Sequence, residues 1–165
     1  MHSGGSRTGL GVGLLVATAL AGAGCREPME PNGSRSIDQL RAVPTSTQVG
    51  GRDLVLRTEL WRDFMPIAPP DGRPLVALIR VTAADGGALP AGLGIDSFWV
   101  IHGRELWQAR PEPGAGSDDR TLEVVARDGP KWGPGVNVDV VVRIVDAAGK
   151  SHLMRAPEQP VGRTD

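Results

Sequence analysis

Residues 136–146 read VNVDVVVRIVD, and this stretch decides the fold. Val136, Val138, Val140, Val142 and Ile144 alternate in it with Asn137, Asp139, Val141, Arg143 and Val145. A period of two sends successive side chains to opposite faces of an extended chain, so one face here is wholly apolar and the other mixed. The β-branched residues that dominate the stretch are those that fit a pleated surface. It reads as a long strand. The residues that follow, Asp146-Ala147-Ala148-Gly149-Lys150, suit a tight hairpin with Gly149 in the left-handed conformation next to a bulge. Ser151 to Ala156 then supplies the returning strand.

The same alternation recurs upstream. Asp53 to Arg62 gathers Leu54, Leu56, Thr58 and Leu60 on one face, and Pro74 to Ala83 does so with Leu75, Ala77, Ile79 and Val81. Asp96 to His102 (DSFWVIH) and Glu105 to Ala109 (ELWQA) are joined by Gly103-Arg104, a two-residue turn with Gly first, the type II′ arrangement. Arg120 to Arg127 directs Leu122, Val124 and Ala126 inward and Glu123 and Arg127 outward. Phe98 and Trp99 are neighbours, so one of them must point away from a single core. The expectation is an all-β domain over residues 52–157, an antiparallel β-sandwich of about seven strands, with residues 158–165 as a C-terminal tail.

Seven short strands spaced by turns over about 105 residues resemble the immunoglobulin-like and fibronectin-III-like β-sandwiches. The resemblance covers roughly Gly51 to Pro157. Trp99 falls in the third strand, where such domains often carry a core tryptophan, and the strand at 136–146 with its hairpin looks like their final strand pair. The chain departs from them in having no cysteine pair and no tyrosine. Such a fold by itself implies no activity.

The amino-terminal third reads differently. Met1 to Gly9 is polar with one charge, Arg7, and Leu10 to Gly24 (LGVGLLVATALAGAG) is uncharged and built from small and apolar residues. That run is shorter than the roughly 20 residues a membrane-crossing helix needs, and it ends in small residues, as a signal peptide does. Cys25, the single cysteine, follows Ala23 and Gly24 directly. The junction resembles a lipobox, the site at which bacterial lipoproteins are lipidated on cysteine and cleaved; it departs from the usual pattern at Gly22, where leucine is expected. The competing reading, an ordinary secretory cleavage site beside an unrelated thiol, leaves a lone cysteine with no internal disulfide partner. Lipidation of Cys25 implies anchoring to a membrane of the cell envelope. Arg26, in place of the aspartate that commonly retains lipoproteins at the inner membrane of Gram-negative cells, favours the outer membrane. Residues 25–51 are Pro/Ser/Gly-rich, with few large apolar side chains, and read as a flexible tether. A helical turn over Ile37 to Ala42 is compatible with the sequence there.

Composition narrows the function further. Whole-chain charge is 18 basic against 19 acidic residues; removing the first 24 residues takes only Arg7 and leaves 17 against 19. No basic face for nucleic acid follows. The chain lacks HExxH, CxxC, GxSxG and phosphate-loop motifs, and Gly114-Ala115-Gly116-Ser117 lacks the spacing of a nucleophile elbow. His102 and Glu105, opposite each other across the proposed turn, make the one suggestive acid–base or metal pair, though such a pair is more often a solvated cross-strand contact. Asp118-Asp119 falls short of the six to eight oxygens calcium takes. The expectation is therefore a non-enzymatic binding or scaffolding module without cofactor or metal, directed at another envelope protein. The alternatives are a carbohydrate-binding module that uses exposed tryptophans, or a loop-mediated protease inhibitor. The candidate binding residues are Phe64, Met65 and Ile67 in the loop FMPIAPPDG, Trp132 in the loop GPKWGPG, and Trp61 and Trp107 on the strands. Both loops have a plainer reading as covers over the ends of the core.

Replacing Cys25 with serine is expected to abolish both an acyl mass increment and partition into the membrane fraction, as read by intact mass and by fractionation of wild type and C25S side by side.

Overall fold

A computed structural model describes residues 35–165. The signal segment, Cys25 and the first part of the expected tether lie outside these residues. In chain order the described part comprises α1 (Ile37–Arg41), β1 (Thr47–Val49), β2 (Arg52–Asp63), β3 (Leu75–Ala83), β4 (Gly94–His102), β5 (Glu105–Ala109), β6 (Glu112–Pro113), β7 (Thr121–Gly129), β8 (Asn137–Val145) and β9 (Ser151–Thr164). The described part is nearly all-β, as its alternation requires. Its strands form one curled mixed sheet in the order β5-β4-β8-β9-β2-β3-β7-β6, with β1 beside β2.

The curl depends on β9. Up to Pro160 this strand pairs antiparallel with β8, and from Val161 to Thr164 it runs parallel to Leu60–Asp63 of β2. At the transition Glu158 has a φ of 54°, a left-handed conformation that costs a non-glycine residue energy. Across from it the β8–β9 register slips between Val138 and Val140. The Asp139 carboxylate accepts the Glu158 N–H at 3.2 Å and fixes this bulge. Bulges bend strands, and this one carries β9 from one half of the sheet to the other.

The two halves enclose a common core. Leu60, Leu75, Ala77, Ile79, Val81, Val124 and Ala126 face Phe98, Val100, Val138, Val140, Val142, Ile144 and Met154. The alternating residues expected on the inward faces of β3 and β8 are those found there. Both turns form as their glycines require: Gly103 and Gly149 have φ of 58° and 78°, and the two-residue turn brings His102 opposite Glu105.

A second core lies on the outer face of β4 and β8. Trp99, Ile101 and Val141 are buried there with Leu40 and Val43, and Ile37 and Leu153 pack at the margin. The helix α1 supplies the cover. Ser36 and Gln39 form a reciprocal capping box at its start. Arg41 fastens its end, with Nε bonded to Asp139 at 3.0 Å and Nη2 to the Gly103 carbonyl at 2.9 Å. The following segment is pinned by the Arg155 N–H donating to the Pro44 carbonyl at 2.9 Å. Phe98 and Trp99 thus point to opposite faces, yet both are buried because each face has its own core.

Four features differ from expectation. The described part of the expected tether contains α1 and β1, with Leu40, Val43 and Val49 buried; few apolar residues suffice because each finds a ready-made apolar surface. Residues 158–164 belong to β9 rather than to a tail, since β2 offers an open edge for them. Among the described residues nine strands form rather than about seven, β1 and β6 being too short to show a period. The sheet is mixed rather than antiparallel, through the β2–β9 pairing.

Leu40→Ala is expected to cost about 2–5 kcal/mol of stability, seen as a lowered urea midpoint with Trp99 emission shifted to the red. A five-residue helix has no stability of its own and depends on this packing.

Candidate functional site

Alternation continues past Leu60 to Arg62, which places a guanidinium on the inward face at the end of β2. Arg62 is 3% exposed and, among the described residues, has no carboxylate bonded to it. Its Nε donates to the Arg73 carbonyl at 2.9 Å, and Nη1 donates to the carbonyls of Lys131 at 3.1 Å and Gly133 at 2.6 Å. Nη2 donates to the Asp71 carbonyl. One buried cation thus holds two loops, the β2–β3 connection and the β7–β8 connection. Outside, Lys131 Nζ bonds the Asp71 carboxylate at 2.5 Å. The Lys131 ammonium holds the Asp71 carboxyl below the usual carboxylate range. Among the described residues no buried side-chain nitrogen or oxygen is left without a partner.

The β2–β3 loop is shaped by this clamp. Phe64 lies between two guanidinium groups, 5.0 Å from Arg62 and 4.2 Å from Arg163, and its ring covers Gly72. Backbone bonds from Ala68 to the Met65 carbonyl at 2.7 Å and from Gly72 to the Pro69 carbonyl at 2.8 Å close two turns. The Met65 N–H is taken by Asp63 Oδ1 at 2.8 Å. Between these fixed points Met65 is 47% and Ile67 83% exposed. The loop therefore divides: Phe64 has the covering role, while Met65 and Ile67 project into solvent from a braced backbone.

The tryptophans do not gather into one surface. Trp107 turns inward, edge-on to Phe98 with ring centroids 5.8 Å apart, and its six-membered ring lies against Gly129. Trp132 packs on the margin of the main core and beside His102, with centroids 5.6 Å apart. Of the three candidate tryptophans, Trp61 is the one that points to an outer face. It lies across from Val76 of β3 and beside Gly162 of β9. Below it Glu59 faces Leu78, and Leu78 faces Val125 of β7. Trp61, Val76, Leu78 and Val125 are half-buried and belong to neither core, so they make a contiguous apolar strip on the outer face of the β2–β3–β7 half. A cluster of charge borders it: Arg80 pairs with Glu59 and with Glu123.

The remaining candidates are occupied structurally. His102 and Glu105 are in register, but His102 Nδ1 lies 3.3 Å from the Asn137 carbonyl and its ring is against Trp132, while Glu105 is exposed. Asp118 Oδ1 accepts the N–H groups of Arg120 and Thr121, which lower its pKa and use its oxygen within the loop. Ser117 Oγ donates to the Glu123 carbonyl at 3.0 Å and accepts from the Glu123 N–H at 2.9 Å. Glu123, expected outward, is on the outer face but buried, because residues 114–117 fold over its carboxylate. Hydrogen bonding from the Gly116 N–H and from Arg80 lowers its pKa. Among the described residues no group of three or more His, Cys, Asp or Glu side chains is placed to hold a metal. Arg62 was not among the sequence candidates, although the alternation through Leu54 and Leu60 already turned it inward. Comparison with protein-family models, with curated proteins and with solved structures finds no match.

Proposed function

We propose that the chain is a lipid-anchored envelope protein whose domain is an immunoglobulin-like sandwich acting as a non-enzymatic binding module for another envelope protein. The lipobox-like junction at Cys25 supports the anchor. The strand order supports the sandwich: β2-β3-β7-β6 and β5-β4-β8-β9 make two groups, the arrangement in which immunoglobulin-like domains place their A-B-E-D and C′-C-F-G strands. The parallel contact of β9 with β2 joins the groups.

One observation carries the binding role. The outer face of the β4–β8 half is covered by α1, whereas that of the β2–β3–β7 half presents Trp61, Val76, Leu78 and Val125 outside both cores. An apolar centre with one tryptophan and a rim of both charges is the composition of a protein-binding patch. The glycan reading asked for several tryptophans exposed together, and two of the three are engaged with core residues.

A photo-cross-linking residue in place of Trp61 is expected to give a discrete adduct in the envelope fraction, lost on adding Leu78→Glu, while the same group in place of Lys150 gives none. With the captured partner in hand, Trp61→Ala is expected to weaken binding about thirty-fold, the equivalent of ~2 kcal/mol. No adduct at position 61 would contradict the reading.

A further inference from the structure

We propose that the tip of the β2–β3 loop, Met65 to Pro70, rests in the headgroup region of the bilayer to which the protein is anchored, so that this end of the domain faces the membrane. The inference rests on the lipid-anchor reading and concerns a surface separate from the Trp61 strip.

The first ground is the chemistry of the tip. Met65-Pro66-Ile67-Ala68-Pro69-Pro70 carries no charged or polar side chain, and Ile67 at its apex is 83% exposed. Entering an interface costs most for unpaired backbone N–H groups. Pro66, Pro69 and Pro70 have none, those of Met65 and Ala68 are already bonded to Asp63 Oδ1 and to the Met65 carbonyl, and the Ile67 N–H is the one in the tip without a bond among the described residues. Because Arg62 and Phe64 hold the base, the tip needs little further ordering on contact.

The second ground is where the anchored chain enters the domain. Arg41, the last residue of α1, is bonded to the Gly103 carbonyl in the β4–β5 turn. His102 next to that turn lies against Trp132, and the Trp132 loop is held by Arg62 to the β2–β3 loop. The end of α1 and the apolar tip are thus at one end of the domain, opposite the β8–β9 hairpin, and Arg35 precedes Arg41 by six residues, about 9 Å along a helix. Ten residue steps separate Cys25 from Arg35, at most about 35 Å when fully extended.

The rim sets the mode of contact. Arg73, Lys131 and Arg163 flank the tip, each within 3.4 Å of a carboxylate, those of Asp63, Asp71 and Asp165. With charge balanced there, contact is driven by Ile67 and Met65 and is nearly independent of anionic lipid.

The test holds the domain at a membrane whether or not Cys25 is acylated. The chain from residue 25 onward, with Cys25→Ser and an amino-terminal histidine tag, is bound to vesicles of phosphatidylethanolamine, phosphatidylglycerol and a nickel-chelating lipid. An environment-sensitive fluorophore is placed through Ile67→Cys or, at the opposite end, through Lys150→Cys. The expected result is a blue-shifted, several-fold brighter label at 67, quenched by a lipid-borne quencher, with a label at 150 that stays as in water. A water-like label at 67, or equal quenching at both positions, would overturn the proposal. Cross-linking from position 67 in cells to protein alone, with none to lipid, would overturn it too. Intact mass of the native protein decides separately whether Cys25 carries acyl chains, so failure of the anchor and failure of the loop contact are told apart.

Discussion

The guanidinium of Arg62 is the constraint on which one whole end of the domain depends. Removing an arginine from water costs several kcal/mol, and no carboxylate is bonded to it here to offset that cost. What offsets it is geometry. Four of the five N–H groups of a rigid planar fork meet the carbonyls of Asp71, Arg73, Lys131 and Gly133, each a charge-assisted bond. The face of Phe64 and the nearby Asp71 carboxylate add attraction without contact. Lysine has neither the number nor the planar arrangement of donors to reach two loops in this way. The β2–β3 loop, rich in proline and short of regular structure, acquires one conformation because its carbonyls have a fixed charge to point at. The exposure of Ile67 follows from this: an apolar residue on a loop free to collapse would turn inward.

At the other face, the logic is one of paired covers. β4 and β8 are apolar on both sides, so a single interior leaves Trp99, Ile101 and Val141 facing water. The segment before β1 removes that surface with three side chains, Ile37, Leu40 and Val43, and one ion pair, Arg41 with Asp139. Asp139 serves twice, since its carboxylate also holds the Glu158 bulge that lets β9 change partners. The helix, the bulge and the sheet crossover therefore share one carboxylate. Among the described residues, the strip around Trp61 remains without such a cover, which leaves apolar side chains at the surface of that half.

The strands of the interior were legible because period two is a local property. Leu75, Ala77, Ile79 and Val81, and likewise Val138, Val140, Val142 and Ile144, face inward as their spacing requires. Gly103 and Gly149 fall where their turns need positive φ. The run of valines at 140–142 also held a signal of burial on both faces, but naming the cover needed the tertiary contact with Leu40. Short elements were not legible: β1 and β6 have too few residues to show a period, and the β2–β9 pairing joins segments about a hundred residues apart in sequence. Of the candidate surfaces, the FMPIAPPDG loop could be picked out by composition, while its division into a half-buried Phe64 and an exposed Ile67 was decided by Arg62. The tryptophans were named from residue type alone, and packing on Phe98 and His102 separates Trp107 and Trp132 from Trp61.

The most direct measurement is amide hydrogen exchange on Arg62→Met, a volume-matched change that removes every donor at once. Four carbonyls then lose their partners, and the destabilisation is expected to be about 3–5 kcal/mol. In this arrangement one side chain braces both connections. Residues 64–74 and 130–136 are therefore expected to lose protection together, while Val138 to Ile144 and the Leu40 segment keep theirs relative to the lowered global stability. Loss confined to residues 64–74, with 130–136 as protected as before, would show that the loops are held independently and would contradict the account.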